Sequence, residues 1–486
     1  MVLITSCVID LGIFRQLISS EWIRTVQLTW THNTSLMDKV KERRRFYMNY
    51  PMNYPKVPDF QKIQGFIKEY AYLQFEYGAD IAGIEKYLNE AQAAIEAAMG
   101  KINALPIDDD MAAQEPDKLP EIKDLRPSGD RILWKSFDQE KYRERLAGAF
   151  MGRMAGCTLG AIVEGSSVES MKQWAQWTGD QFPPVNYWSS IRHPDYKRYE
   201  VSPCYDYTLP GLKNVPVDDD TTYTILGLLI AEDYGLDFTV EDVGRAWVKY
   251  LPYACTAEDA ALKNLRKGID ACKAADIDNP YVQWIGADIR SDPWGYLAPG
   301  LPEKAAEMAW TDAWISHRRN GIYGEMYFSA VIAAAFAVND SVEALKLGLN
   351  EIPKDCLLAK DIAWALENGK NIKNYMDAHN AVKERFGSMH AVHTNNNACL
   401  TVFGLMIGGD DFTRCIGETI AMGYDNDCTG ATVGSVFGAA YGIGAIPAYW
   451  YRPFNNKVLT YINGHPELAI DDLLIRFDNL AKKSFI

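Results

Sequence analysis

From about Lys141 onward, apolar residues recur at the three- and four-residue spacing that is typical of α-helices. The segments with this spacing alternate with turns rich in glycine, proline, asparagine and aspartate. Few segments show the two-residue alternation that indicates strands. The pattern therefore predicts an all-α array of a dozen or more helices. The absence of a repeat of fixed length argues against a solenoid.

The first 130 residues differ and are predicted to form an N-terminal extension. Between residues 59 and 103 the apolar residues again follow helical spacing, with Ile63 and Phe66 on one stripe, so two helices are expected there. An acidic stretch with several prolines follows, which is typical of a surface crossing. We therefore expect a helical extension over residues 1–130 and a main domain over residues 131–486.

Two segments place a glycine at every fourth position, so the glycines would line one face of a helix. They are Gly148, Gly152, Gly156 and Gly160 in the first segment, and Gly430, Gly434, Gly438 and Gly442 in the second. Glycine inside a helix costs about 1 kcal/mol relative to alanine. Such rows are expected where a neighbouring backbone must come very close. We therefore predict that the two glycine helices pack against each other.

Aspartates are concentrated at the predicted starts of two helices. Asp218, Asp219 and Asp220 precede an apolar stripe, and Asp425 and Asp427 precede the second glycine helix. A single aspartate there is a common helix cap, and a solvated acidic turn is the alternative interpretation. Three in succession repel one another unless solvent or a cation relieves the repulsion. Oxygen ligands without histidine favour magnesium or calcium over zinc.

Three further polar residues are candidates for the same site. Glu164 comes four residues after the first glycine row, where the alternative is an ordinary exposed loop glutamate. His317 ends a predicted helix, where a C-cap role is the alternative. Asn397 belongs to a polar run in apolar surroundings, which predicts either a cavity wall or a helix cap.

Aromatic residues are dense between residues 166 and 210, and Trp284, Trp294 and Tyr296 form a second group. Most are expected to form core. Some are candidates for the wall of a pocket, because flat rings stack on sugars and bases.

Composition excludes several classes of function. The 49 basic and 64 acidic residues give a net charge of −15, which argues against a nucleic-acid partner. The apolar N-terminal run carries Asp10 and is too short to span a bilayer, so no membrane partner is expected. The nine cysteines lack paired spacing, which favours a reducing compartment and predicts a cytoplasmic protein. The sequence sets no oligomeric state.

Four segments, in this order, resemble the motifs of the ADP-ribosylglycohydrolase family. They are GAFMGRMAGCTLGAIVEG, VDDDTTYTILGLL, WISHRRNGIYGE and GYDNDCTGATVGSVFGAAYGIGAIP. The resemblance covers about residues 141–450. It implies an all-α orthogonal helical array and a hydrolase related to those that reverse protein ADP-ribosylation.

The resemblance also implies a site with two magnesium ions, for which manganese is an alternative. The implied metal ligands are Asp218, Asp219, Asp220, Asp425 and Asp427, with Cys428 and Thr429 following in the second motif. The implied catalytic residues are Glu164, Asp220 and Asp427. The implied substrate-binding residues are Asp292, Trp294, His317 and Asn397.

Three residues depart from the family pattern. Asp218 and Cys428 each stand where the family usually has threonine, and Cys157 replaces a common aspartate. Asp218 remains a competent ligand, whereas a thiol is a poor ligand for magnesium. Thr429 would substitute only through a shift of the backbone. These differences indicate a divergent subfamily.

The leading interpretation is a magnesium-dependent hydrolase that cleaves an N- or O-glycosidic bond of an ADP-ribosyl or related ribosyl or glycosyl substrate. The substrate would be a small molecule or an ADP-ribosylated protein. A non-catalytic binding or structural protein and a metal-dependent carbohydrate glycosidase are the alternatives. Arg290, Arg318 and Arg319 are the candidates for a pyrophosphate clamp. Because the chain is strongly acidic, we expect a substrate smaller or less charged than ADP-ribose.

Overall fold

The computed structural model of the chain describes Tyr50, Met52 and residues 54–485. The predicted extension over residues 1–130 is therefore described only in its second part, and residues 1–49 lie outside the described residues.

Helices account for nearly all regular structure in this part of the chain, which confirms the all-α prediction. In chain order they are α1 (Phe60–Glu76), α2 (Ile81–Asn103), α3 (Asp109–Gln114), α4 (Leu119–Leu125), α5 (Gln139–Ala161), α6 (Val168–Thr178), α7 (Asp219–Tyr234), α8 (Val240–Tyr250), α9 (Thr256–Arg266), α10 (Ser291–Leu297), α11 (Pro302–Ala313), α12 (Asn320–Ala335), α13 (Ser341–Gly348), α14 (Leu357–Asn368), α15 (Tyr375–Phe386), α16 (Thr394–Gly408), α17 (Phe412–Ala421), α18 (Asn426–Tyr441) and α19 (Ile470–Ala481).

The described residues also contain two small antiparallel strand pairs, which the periodicity did not predict. They are β1 (Lys197–Arg198) with β2 (Ser202–Pro203), and β3 (Lys457–Leu459) with β4 (Glu467–Ala469). Strands this short leave no two-residue alternation to detect in a sequence. The first pair contains Arg198, whose side chain reaches Asp218 at the start of α7.

The two glycine helices, α5 and α18, pack against each other as predicted. A Cβ atom on Gly152 would overlap the carbonyl oxygen of Gly434, and one on Gly434 would overlap that of Gly152. At the other end, a Cβ on Gly160 would lie 2.5 Å from the Cα of Asp427. The helices run antiparallel, so the end of α5 lies beside the start of α18.

Helix α12 forms the centre of the core. Every residue from Asn320 to Ala335 is buried. The helix packs on α10, α11, α13 and α18. Apolar residues lie on all sides of the helix, as is typical of a helix surrounded by others, and its polar residues Asn320, Glu325 and Ser329 are buried as well.

The described part of the extension has two regions. Helices α1 and α2 confirm the two helices expected between residues 59 and 103, but none of their residues is buried, and Phe66 and Tyr70 are 56% and 65% exposed. The following segment is bound to the array, since Arg126 pairs with Glu303 at 2.7 Å and with Glu351 at 2.5 Å. A domain boundary at residue 130 stays a prediction.

None of the helices described here is long and apolar enough to cross a membrane.

The glycine contact gives a stability prediction. Gly434→Ala should lower the free energy of unfolding by about 3 kcal/mol or more, because the added methyl group meets rigid backbone. Gly100→Ala in α2 is the matched control, since a Cβ there has no neighbour within 4 Å. Urea denaturation of both variants measures the difference. Equal midpoints for Gly434→Ala and the wild type would contradict direct backbone contact.

Candidate functional site

The site lies where the starts of α7 and α18 meet the end of α5. Asp218 caps α7 by accepting a hydrogen bond from the backbone N–H of Asp220 at 3.2 Å. Asp425 stands at the capping position of α18 but makes no side-chain cap hydrogen bond. Its carboxylate is therefore available to the site. Carboxylate oxygens of Glu164, Asp425 and Asp427 lie within 4.8 Å of one another.

A cavity of about 130 Å³ opens onto these carboxylates. Its acidic lining residues are Glu164, Asp219, Asp425, Asp427 and Glu258. Its other lining residues include Tyr199, Tyr223, Cys255, Thr256, Trp284, Ile289 and Cys428. Asp218 and Asp220 are not among the lining residues. The two aspartate clusters are thus brought together as expected. We call the four carboxylates that line the cavity beside both clusters the open set (Glu164, Asp219, Asp425 and Asp427). The two aspartates that do not line it are the closed pair (Asp218 and Asp220).

Asp220 of the closed pair is held from the core side. The buried guanidinium of Arg153 places Nη2 at 2.9 Å from the carbonyl oxygen of Asp220 and at 3.3 Å from its Oδ1. The thiol of Cys428 donates to Oδ2 of Asp220 at 3.2 Å. Asp220 is therefore engaged on both carboxylate oxygens.

Arg198, at the end of β1, reaches the same cluster from the loop side. Its Nη2 donates to Oδ2 of Asp218 at 2.9 Å and to Oδ2 of Asp427 at 3.2 Å, and its Nη1 donates to Oε2 of Glu164 at 2.9 Å. Burial would lower the pKa of this guanidinium, but the neighbouring carboxylates, Asp218 foremost, raise it well above its ordinary value. Arg198 is therefore a fixed cation. No sequence pattern predicted a role for Arg198, because no recognisable motif surrounds it.

The pKa values of the aspartates reflect burial and mutual repulsion. Burial and then the charge of Asp218 raise the pKa of Asp219 from 3.8 to about 7. Burial and then the charge of Glu164 raise the pKa of Asp425 from 3.8 to about 7. The pKa values of Asp220 and Asp427 are also raised, again chiefly by burial. Such shifts are typical of buried carboxylates that lie close to other carboxylates.

Three members of the open set, Glu164, Asp425 and Asp427, fit a hard divalent cation, because their carboxylate oxygens lie within 4.8 Å of one another. Oδ1 of Asp425 is buried and has no hydrogen-bond partner in the protein. The closed pair has a different donor set, because Cys157 lies near both of its members and Cys428 near Asp220. Burial raises the pKa of both thiols well above the ordinary value, so they are neutral and poor magnesium ligands. Thr429 is directed away, since its hydroxyl donates to the carbonyl oxygen of Asp425 at 3.1 Å.

The predicted substrate-binding residues are buried around the site and do not line the cavity. Asp292 pairs with Nη1 of Arg153 at 2.6 Å, and Trp294 donates to Oε1 of Glu325 at 2.8 Å. Nδ1 of His317 lies 2.8 Å from the hydroxyl of Ser316, and burial lowers the pKa of His317 well below its ordinary value. Oδ1 of Asn397 accepts from the backbone N–H of Asp425 at 3.3 Å. Asn397 therefore fixes the start of α18, while substrate contact by these four residues stays a prediction.

The aromatic residues separate into cavity walls and core. Trp284 lines the cavity and stacks on His390 with 4.1 Å between ring centroids, and Tyr199 lines another side. Trp294 and Tyr296 are core residues. Trp174, from the dense aromatic region, lines a second cavity of about 380 Å³ that shares no residue with the first.

The three arginines expected to bind pyrophosphate are already paired. Arg290 is buried and bound to Glu258 at 2.7 Å and to Asp312 at 2.6 Å. Arg318 pairs with Asp276 at 2.9 Å, and Arg319 pairs with Glu115. The described residues that line the site cavity include no lysine or arginine. A pyrophosphate clamp at these arginines would therefore first have to break ion pairs.

The fold and site define a class of protein: an all-α array in which two helix starts present carboxylates to a small cavity. Residues 138–481 match the family model described as ADP-ribosylglycohydrolase. The chain therefore belongs to the ADP-ribosylglycohydrolase family, which is hydrolytic and metal-dependent in general.

Other comparisons are more distant. One solved structure, described as an ADP-ribosylglycohydrolase-related protein complex, is 17% identical and matches 71% of this chain and 100% of its own, with a TM-score of 0.49. No curated protein sequence matches the chain.

The raised pKa values predict an unusual pH dependence for the chelated protein. Because the folded-state pKa values of Asp219 and Asp425 exceed 3.8, the folded state binds more protons than the unfolded state between about pH 4 and pH 7. The contribution of these groups to stability should therefore fall as the pH rises through that window. Urea denaturation in EDTA at about pH 5.5 and pH 7.5 measures it, and Asp425→Asn should show a smaller pH effect. The same pH dependence in both proteins would contradict the shift at Asp425.

Proposed function

We propose that the chain is a metal-dependent glycosyl hydrolase that cleaves an N- or O-glycosidic bond of a ribosyl or related glycosyl compound. The observation that carries the proposal is the open set of carboxylates at the cavity, with one buried carboxylate oxygen of Asp425 left without a partner. Magnesium or manganese suits these oxygen donors. Membership of a hydrolytic family supports the type of reaction.

The cation would supply Lewis-acid chemistry, by binding sugar hydroxyls and lowering the pKa of a coordinated water. The protein side chains then have separate tasks. Asp219, Asp425 and Asp427 would hold and orient the bound groups, because they project from two buried helix starts. Glu164 would take a proton from water or stabilise positive charge on the sugar ring, since it lines the cavity beside Asp425 and Asp427.

Asp220 supports the site from behind in this scheme. It contacts Arg153 and Cys428 and does not line the cavity. Its proposed role is therefore to fix the start of α7, instead of the direct catalytic role that the family resemblance implies.

The cavity favours a substrate smaller or less charged than ADP-ribose. Its volume of about 130 Å³ is below the ~300–1,000 Å³ that is typical of pockets for drug-sized ligands. Its lining has acidic and aromatic side chains, and Trp284 offers a ring for stacking on a sugar or base. We propose a nucleoside or a simple glycoside as the substrate, in the cytoplasm.

One observation favours a non-catalytic binding protein as the second candidate. Cys428 stands at the sequence position where the family usually has threonine, and its thiol donates to Oδ2 of Asp220. Product analysis separates the candidates. The purified chain with magnesium would be incubated with nucleosides, simple glycosides, ADP-ribose and ADP-ribosylated protein, and the released sugars would be identified. Release of ribose from nucleosides would support the proposal, and release of ADP-ribose from protein would replace the proposed substrate. Binding without any product would favour the second candidate.

Metal binding gives a direct prediction for stability. Magnesium at 100 times its Kd should stabilise the EDTA-treated protein by about 2.7 kcal/mol, because the ion binds only the folded state. Asp425→Asn should lose most of this gain, whereas Asp471→Asn, an exposed aspartate at the start of α19, should keep it. Thermal melting with and without magnesium is the measurement. Equal gains in all three proteins would place the ion elsewhere.

The role of Glu164 can be separated from metal binding. Glu164→Gln should still bind the metal through the aspartates but lose turnover by about 10²-fold or more, because a neutral amide cannot accept a proton. Glu169→Gln, an exposed glutamate in the first turn of α6, is the matched control. The kcat of each variant on an identified substrate measures the effect. Normal turnover by Glu164→Gln would exclude Glu164 as the base.

A further inference from the structure

The guanidinium of Arg198 lies between the two aspartate clusters and supplies a positive charge there. Nη2 of Arg198 donates both to Asp218, from the start of α7, and to Asp427, from the start of α18. The guanidinium therefore bridges the two clusters at Asp218 and Asp427. The Arg198 side chain is 13% exposed, and the Asp218 and Asp427 side chains are 2% exposed. The guanidinium is therefore enclosed with its two aspartate partners, while its third partner, Glu164, is 42% exposed.

The surroundings of the closed pair are unsuitable for a second hard cation. Asp218 is bound to Arg198, and Asp220 is bound to Arg153 on one side and to the Cys428 thiol on the other. The other donors near the pair are the buried thiol of Cys157 and the carboxylate of Asp427, which Arg198 already binds. In contrast, the open set offers carboxylate oxygens directly to the cavity.

Arg198 is also placed by its own loop. It forms one residue of β1, where it pairs with Ser202 of β2, and Nη1 donates to the carbonyl oxygen of Ala161 at the end of α5 at 2.6 Å. The guanidinium lies 5.5 Å from the ring centroid of Tyr199 and 5.9 Å from that of Tyr207. These contacts fix the planar donor group from several directions, as a site for a permanent charge requires.

We propose that Arg198 takes the place of one of the two metal ions that the family resemblance implies, so that this protein binds a single divalent ion, at Glu164, Asp219, Asp425 and Asp427. The inference rests on the metal-binding part of the proposed function. It assigns Arg198 as a positioning residue, which holds Asp218, Asp427 and Glu164 in the arrangement that a second ion would otherwise impose. The number of bound divalent ions would therefore distinguish this chain from an enzyme that binds two ions.

The test is the number of manganese ions bound by the full chain after EDTA treatment and dialysis. Isothermal titration and electron paramagnetic resonance with Mn²⁺ would be applied to the wild type, Arg198→Ala, Arg198→Lys and Arg192→Ala. Arg192 is the matched control, because it is an exposed arginine of the same loop that stacks over Trp174. Two manganese ions about 3.5–4 Å apart couple magnetically, whereas a single ion gives the six-line spectrum of an isolated centre.

We expect one ion and the isolated spectrum for the wild type, Arg198→Lys and Arg192→Ala. Arg198→Ala should bind a second ion, show the coupled spectrum, and gain several degrees more in Tm on addition of manganese than the wild type. If Arg198→Ala does not fold, Arg198→Gln is the second variant, because it keeps a polar side chain without the charge. The number of manganese ions bound by the wild type tests the proposal even if no variant folds.

Two ions in the wild type would overturn this inference and leave the proposed function standing. One ion in both the wild type and the folded neutral variants would overturn it as well. No ion in the wild type would overturn the single-ion site, and no ion in any variant would overturn the metal-dependent function with it.

Discussion

The whole site depends on backbone contact between two helices. Gly152 and Gly434 meet with no room for a Cβ on either side, and the same holds at Gly156 and Gly430. Because the helices are antiparallel, this contact sets the start of α18 beside the end of α5. Asp425, Asp427 and Glu164 are therefore brought together by glycine packing, without any direct bond being needed among them.

That geometry brings buried carboxylates close together, and other groups of the site offset part of their repulsion. Buried carboxylates from two helix starts repel one another, and burial adds to the unfavourable free energy of their charged forms. Helix dipoles offset part of it. Arg153 from the core binds Asp220, and Arg198 from strand β1 binds Asp218, which offsets a further part. Arg198 also pairs with Glu164 and Asp427, so the four carboxylates of the open set share one arginine. Their remaining negative charge is the physical basis for expecting a cation there.

The charge of the residues around the cavity is the basis for the proposed substrate. The arginines that would meet a pyrophosphate are used in structural ion pairs, as Arg290 is with Glu258 and Asp312. The walls instead carry acidic and aromatic side chains beside apolar ones such as Ile289. This lining is the reason for proposing a substrate with less negative charge than ADP-ribose.

The sequence by itself determined the parts of this protein that depend on local periodicity. Helical spacing predicted the all-α fold, and the four-residue glycine rows predicted that α5 and α18 touch, because only close backbone approach explains glycine at those positions. The aspartates at two helix starts predicted that the two clusters share one candidate site, and the structure brings carboxylate oxygens of Asp220 and Asp427 within 4.8 Å of each other. The strand pair β1–β2 was missed, since two residues per strand carry no pattern.

Only the tertiary structure decided which members of those clusters face the cavity. Asp218 and Asp219 are neighbours in sequence, yet one is bound to Arg198 and the other lines the cavity, because successive side chains at a helix start point in different directions. Trp294 and Trp284 belong to the same aromatic group in the sequence, but Trp294 is a core residue and Trp284 lines the cavity. Arg198 reaches Asp427 across 229 positions of the chain. Contacts between residues so far apart follow from the packing of the whole array, and no local pattern encodes them.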